Sequence, residues 1–490
     1  MGDNSMLSRR TWMETLAFSV PVLGSAMSAP RPPQQQPAQP YISIRDYGAV
    51  GDGNADDAPS LLRALDATRS TGATVFLPPG RYRCGRLVHA KTPCRIAGVG
   101  EQSQLIFDRD LPFSPPFRSL FIEGSRNAAP GEDFCHLRDF ALIGQSNGPE
   151  GRKDSLLAGL GVQYVSGYLE GITVRKSWGM AIVYHGCHDL AIRRCHVDSS
   201  GRDGITGFWE NQRVWIIDNW VQEPGDDGIA FNASDERVGT SLAEDIYVAG
   251  NLIENGRFFG RGIYLAGVTR AHVVNNSVRS VVSSGIAVMP SLLTKARSMD
   301  VEITGNRVSN AGATPTSGQP LAGIRADSAD GLRILNNVVE LSGAQGIFAL
   351  NCTYLVLSAN VVTRWGKFNS APGLDLRSVK HLTVIGNHVA EGSGPAVLLE
   401  APTSARLLGN YAATDNTQLL QVRGEVSDAI ACGNLFVCPH SDARTAFGAH
   451  AVTSQALVMA SNTIIAAKGS RREFDPALRV SSNDVIDSES

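Results

Sequence analysis

Long apolar runs are missing from this 490-residue chain. No stretch approaches the ~18 consecutive apolar residues that a membrane-spanning helix needs, so no membrane span is expected in the mature protein. An excess of charge of one sign is missing too. The 44 Lys and Arg face 47 Asp and Glu, for a net charge of -3, which argues against the basic surface of a nucleic-acid binder. The eight cysteines, Cys84, Cys94, Cys135, Cys187, Cys195, Cys352, Cys432 and Cys438, lack the short paired spacing of a zinc site. No metal and no cofactor are therefore expected. Cys84 with Cys94, or Cys432 with Cys438, could pair in an oxidising compartment, but buried free thiols are the expected state. Leucine ladders and recurring Trp-Asp pairs are also missing, which disfavours leucine-rich repeats and propellers.

What the chain has is glycine, 50 residues of it, and two periodic marks. The first is a Gly-Ile pair at Gly204-Ile205, Gly228-Ile229, Gly262-Ile263, Gly285-Ile286, Gly323-Ile324 and Gly346-Ile347. The residues before these pairs are Asp203, Asp227, Arg261, Ser284, Ala322 and Gln345. The second is an Asn between short apolar runs, at Asn219, Asn251, Asn276, Asn306, Asn337, Asn360, Asn387, Asn410, Asn434 and Asn462. Repetition at ~20–50 residues marks a solenoid, and alternating strands with Gly and Asn turns predict a single-stranded right-handed parallel β-helix, all-β, with a short N-terminal capping helix. Each Asn is expected in a turn that tolerates left-handed backbone, with its side chain bonded from coil to coil. Residues in one column would stack about 4.8 Å apart.

The ends read differently. Arg9-Arg10, a weakly apolar stretch and small residues at Ala26 and Ser28 resemble a twin-arginine export signal over residues 1–29. Periplasmic or secreted localisation, and the twin-arginine export machinery as a partner, follow as expectations. Residues 30–40 (PRPPQQQPAQP from Pro30) read as an extended Pro/Gln-rich linker. Residues 41–133 form an N-terminal cap and first coils, residues 134–465 the β-helix repeats, and residues 466–490 a C-terminal cap and tail. The string from Asp46 to Cys84, "DYGAVGDGNADDAPSLLRALDA…GATVFLPPGRYRC", resembles the N-terminal cap of pectin-lyase-like β-helix proteins. That resemblance gives Asp52, Asp56 and Asp57 turn and capping roles, with Asp57 placed to cap the helix that follows. The whole outline also resembles the twin-arginine-translocated repetitive β-helix proteins.

Three acidic residues fall on successive coils: Asp203, then Asp226 and Asp227 one coil later, with Arg261 on the next. Carboxylates stacked so closely cannot all ionise, so at least one should hold its proton. Divergent acidities of this kind suit glycoside hydrolysis. The pattern resembles the polygalacturonase-type glycoside hydrolases (family 28). Gly225-Asp226-Asp227 matches that family's second motif and Asp203 the last residue of its first. In Gly260-Arg261-Gly262 an Arg stands where the family has His, and the Arg-Ile-Lys motif is replaced by Ala287-Val288-Met289. The resemblance implies an inverting hydrolase acting on a polysaccharide or oligosaccharide, with Asp226 as general acid and Asp203 and Asp227 holding the attacking water. Arg261 would bind an anionic sugar, or else lock Asp227 in a salt bridge. Tyr184, His185 and Tyr264 are expected to line the same cleft, and Trp209, Phe258 and Phe259 lie in nearby loops. A polysaccharide lyase or uronate epimerase on the same fold, and a non-catalytic glycan-binding or envelope solenoid, remain open. The chain is expected to be a monomer.

Overall fold

Short strands alternate between a core-facing and an outward residue, and turn sharply every three to seven residues. In the strand Ile182–His185, Ile182 and Tyr184 point inward, while Val183 and His185 point out. Repeated coil after coil, this pattern winds the chain into a right-handed parallel β-helix with three sheets. The computed structural model describes residues 40–108, 118–128, 132–145, 158–233, 243–315, 321–414, 419–438, 447–450, 457–467, 479–481 and 483–488. The expected export signal (1–29) and nearly all of the linker (30–40) lie outside the described residues.

The third sheet, sheet C, carries the Gly-Ile column. Its inward positions pair in register through Ile182, Ile205, Ile229, Ile263, Ile286, Ile324 and Ile347, each fully buried. Burying such a side chain contributes roughly 1.5–3 kcal/mol, so the stack forms a continuous core along the axis. Glycine is required before Ile205, Ile229, Ile263, Ile286, Ile324 and Ile347 because the coils touch there: a Cβ on Gly228 would lie 2.4 Å from Ile253 Cγ2 and 2.7 Å from the Gly262 carbonyl oxygen.

The Asn ladder runs as expected. Asn276 donates its backbone N–H and its Nδ2 to Asn306 Oδ1, both at 2.9 Å. Asn306 repeats the pattern with Asn337. Each Nδ2 also reaches a backbone carbonyl, as Asn306 does to Val273 O at 2.8 Å. The left-handed residue, however, is the one before each ladder Asn: Asp218, Gly250, Asn275, Gly305 and Asn336 have φ between +53° and +66°. The ladder Asn itself is fixed by its side-chain bonds. The ladder also continues past the expected end of the repeats. Asn462 bonds to Asn483, and strands Arg479–Ser481 and Asp484–Ser488 add to the stack where sequence reasoning expects a cap and tail.

At the other end, the helix Ala58–Thr71 buries Leu61, Ala64 and Leu65. Asp57 occupies its N-cap position without a side-chain capping bond. Its carboxylate instead accepts the N–H groups of Val50 at 2.7 Å and Gly51 at 3.0 Å, securing the preceding turn. Asp56 takes the Ala58 N–H, and Asp52 accepts from Asn54 and Ala55. All three acids hold backbone, as expected of a cap. Cys84, Cys94, Cys135, Cys187, Cys195 and Cys352 are buried free thiols, and Cys432 is a partly exposed one.

Candidate functional site

The backbone ladder settles the column in front of sheet C. Ala181 N–H donates to Asp203 O, Gly204 N–H to Asp227 O, Gly228 N–H to Arg261 O, and Gly262 N–H to Ser284 O. Asp203, Asp227 and Arg261 thus stand on three successive coils, and Asp226 stands beside Asp227. Gly260 (φ +104°) makes room for this arrangement: a Cβ there would sit 2.7 Å from Asp226 Oδ1. One carboxylate oxygen from each of Asp203, Asp226 and Asp227 lies within 4.8 Å of the others. All three residues are buried.

The three carboxylates are held differently. Asp227 is gripped by Arg261, whose Nε reaches Oδ1 at 2.8 Å and whose Nη2 reaches Oδ2 at 3.0 Å; the Arg261 backbone N–H adds a third bond at 2.7 Å. Such bidentate, charge-assisted contacts are the strong ones. Burial works against the charge on Arg261, but Asp227 outweighs it and holds the guanidinium pKa above its ordinary value. Asp226 receives one contact, from Arg202 Nη2 at 3.2 Å. Asp203 Oδ1 and Thr206 Oγ1, on the strand Ile205–Phe208, are both buried without a hydrogen bond of ordinary geometry, and the Thr206 hydroxyl is near enough to oppose the rise in the Asp203 pKa. Burial first, and then the charges of Asp226 and Asp227, push the Asp203 carboxyl up to about 8. Burial and Asp227 raise Asp226 to about 6. Because these groups interact, the protons belong to the cluster as a whole. The cluster therefore holds carboxylic acid and carboxylate side by side near neutrality. Three carboxylates so close are also a possible cation-ligand set, but Arg261 and Arg202 already supply the positive charge that a divalent ion would bring.

Tyr264 faces outward but is buried, with the Arg261 guanidinium carbon 3.6 Å from its ring centroid. The ring supports that arginine by a cation–π contact. The same strand position three coils beyond Thr206 holds Ala287, and the next holds Arg325. The Nε of Arg325 is buried without a partner, and its Nη2 lies 3.7 Å from Asp327 Oδ2. Arg325 thus adds a second cation along the outer face of sheet C.

Two expected contacts lie elsewhere. Tyr184 is buried inside the solenoid, not in a cleft. Its ring fills the space over Gly207 on the next coil, where a Cβ would lie 2.3 Å from it. His185 does face outward, but at the opposite edge of the sheet, packed against Phe208 and Trp209 with ring centroids at 5.3 and 4.5 Å. Phe258 lies under Arg257, and Phe259 is exposed. Sequence reasoning missed Arg202 as a partner of Asp226. The 24-residue offset of the pair, the same as that of Asp203 and Asp227, was the available signal.

With this geometry in view, three family models match parts of the chain: "Rhamnogalacturonase A/epimerase, pectate lyase-like" over residues 41–108, "Right handed beta helix region" over 182–319, and "Periplasmic copper-binding protein (NosD)" over 251–427. The first coincides with the cap and the second spans the acidic cluster. The pre-neck appendage protein of Bacillus phage B103 is 27% identical over 201 residues, covering 40% of this chain and 21% of that protein. Mannuronan C5-epimerase AlgE4 of Azotobacter vinelandii is 28% identical over 183 residues, covering 33% of this chain and 31% of that protein. The chain thus spans a third or less of these relatives. Among solved structures, pre-mature bacteriophage phi29 gene product 12 superposes with a TM-score of 0.55 at 15% identity, covering 91% of this chain and 66% of that one, a likeness of fold. The chain is a right-handed parallel β-helix protein with a pectate lyase-like opening segment.

Proposed function

We propose that this chain is a carbohydrate-active β-helix whose Asp203–Asp226–Asp227 cluster performs acid–base chemistry on a polysaccharide or oligosaccharide, with hydrolysis of a glycosidic bond as the leading reaction. One observation carries the reading. Within one buried cluster, two carboxyls are raised toward neutrality while the third is gripped by a bidentate arginine. Opposed acidities between neighbouring carboxyls are what proton donation to a leaving oxygen and activation of water require. Asp226, the least buried of the three, is the general acid in this reading. Asp203 and Asp227 hold the attacking water. The close oxygen spacing differs from the ~6.5–9.5 Å usual between inverting carboxyls, so the stereochemical outcome is itself a test. Arg261 and Arg325 suit an anionic sugar.

A second reading, abstraction of a proton next to a uronate carboxylate by an epimerase or lyase, is favoured by one feature. The guanidiniums of Arg202 and Arg261 lie against Asp226 and Asp227, where they would also face that carboxylate. The sequence similarity to mannuronan C5-epimerases points the same way. The deciding experiment incubates wild type and Asp226→Asn with polygalacturonate, polymannuronate and neutral glucans. Hydrolysis yields new reducing ends without the ultraviolet absorbance of unsaturated uronate, whereas a lyase yields both. An epimerase changes the proton NMR spectrum of polymannuronate without any cleavage. The expected result is reducing ends that Asp226→Asn lowers by about 100-fold or more. Unchanged turnover in that variant would remove Asp226 from the chemistry.

A further inference from the structure

The edge of sheet C opposite the acids carries a cavity of about 230 Å³, bordered by Arg126, Tyr164, Gly186, Asp189, Glu210 and Arg213. Asp203 and Trp209 end the same strand region, six residues apart. At ~3.3 Å per residue the cavity edge therefore lies roughly 20 Å from the acidic cluster. The turns here follow one register: Tyr164 N–H donates to His185 O, Gly186 N–H to Phe208 O, and Trp209 N–H to Asn232 O. Tyr164 and Trp209 are thus two coils apart with Gly186 between them. Gly186, at φ +56°, leaves a gap in which a Cβ would lie 2.6 Å from the Tyr164 ring. Across that gap the two rings lie 6.1 Å apart at 29°.

Polar groups are arranged around the aromatic pair. Arg213 makes a bidentate pair with Asp189 at 2.6 and 2.8 Å, and Arg126 binds Glu210 Oε1 at 2.6 Å. The second carboxylate oxygen of Glu210 is buried with no partner. That oxygen lies out of reach of a water molecule, so the Arg126–Glu210 and Arg213–Asp189 pairs are the polar groups that line the cavity. The two arginines of the lining face three carboxylates, Asp133, Asp189 and Glu210. That balance repels an anionic sugar. A cavity below the ~300–1,000 Å³ of drug-sized sites, with an aromatic wall and paired polar edges, fits a single hydroxyl-rich ring.

We infer that this cavity is a binding site for one neutral pyranose residue, separate from the acidic cluster and independent of what reaction that cluster performs. Hydroxyls of the sugar bridge the Arg126–Glu210 and Arg213–Asp189 pairs, and its apolar face lies toward Tyr164. In a catalytic chain the site would hold a neutral branch or end of the glycan. In a binding solenoid it would be the binding site itself.

The test titrates the full chain with methyl glucoside, galactoside, mannoside and rhamnoside, and with galacturonate as the anionic probe. Binding is followed by saturation-transfer NMR and by the change in tryptophan fluorescence that is lost in Trp209→Phe. At least one neutral pyranoside is expected to bind wild type, and galacturonate is not. Tyr164→Ala and Glu210→Gln should each weaken that binding by about 3–10-fold. Asp203→Asn should leave it unchanged. Glu210→Gln keeps the side-chain volume and decides the matter if Tyr164→Ala disturbs the fold. The inference is overturned if no neutral pyranoside binds, if galacturonate binds as well, if Glu210→Gln leaves affinity unchanged, or if Asp203→Asn abolishes binding.

Discussion

Replacing Asp203 by Asn tests the electrostatics of the acidic cluster without any substrate. Asn has the shape of the neutral acid and no proton to lose. Asp203 is buried, and its carboxyl is raised from 3.8 to about 8. A carboxyl raised in the folded state contributes stability that is fully present below its unfolded value and is lost as pH climbs through the folded value. Stability of the wild-type protein should therefore fall between about pH 4 and about pH 8, the window set by these two values. At ~1.4 kcal/mol for each pH unit of that window, the ceiling at high pH is on the order of 5 kcal/mol. Sharing of protons with Asp226 lowers this, so a gap on the order of 2–4 kcal/mol is expected. The assay is guanidinium unfolding followed by far-ultraviolet circular dichroism at pH 5 and pH 8.5, for wild type and Asp203→Asn. At pH 5 the gap should be small, about 1–2 kcal/mol, because folded Asp203 is still neutral and only the unfolded carboxyl has ionised. At pH 8.5 Asn should be the more stable. If the difference between the two proteins is the same at both pH values, Asp203 does not titrate in this window and the account of the cluster fails.

Further outcomes follow from other parts of the site and the fold. Arg261→Ala strips the partner from buried Asp227 and should cost about 3–5 kcal/mol; adding Asp227→Asn should restore most of the loss in a double-mutant cycle read by denaturant unfolding. Asn306→Ala removes the acceptor of two Asn276 bonds and the donor to Val273 O in the buried ladder. At ~1–3 kcal/mol for each group left unsatisfied, a loss of at least about 3 kcal/mol is expected in the same unfolding assay, with little change in circular dichroism at low denaturant.

The parts of this protein legible in its sequence are those that repeat once per coil. The Gly-Ile column announced itself because a Cβ at each glycine would strike the next coil, so the constraint recurs at Gly228, Gly262 and Gly285. The Asn ladder was legible because each Asn bonds to the Asn of the next coil, and loop insertions lengthen the interval without changing the residue. The acids could be read because Asp203, Asp227 and Arg261 interrupt a column otherwise filled by Ser284, Ala322 and Gln345. What escaped depends on phase within a coil or on reach across two coils. Tyr184 and His185 are adjacent in sequence, yet the pleat sends the first into the core and the second outward. The empty place over Gly207 that accepts the Tyr184 ring belongs to the following coil. Likewise the left-handed turn residue is one position before the conspicuous Asn, where Asp218, Gly250 and Asn275 share no chemistry beyond tolerance of positive φ. The cavity walled by Tyr164 and Glu210 joins turns of different coils over a glycine, so no spacing in the chain marks it. A solenoid therefore displays its stacking in one dimension, while the selectivity of a binding surface lies in residues that occur once.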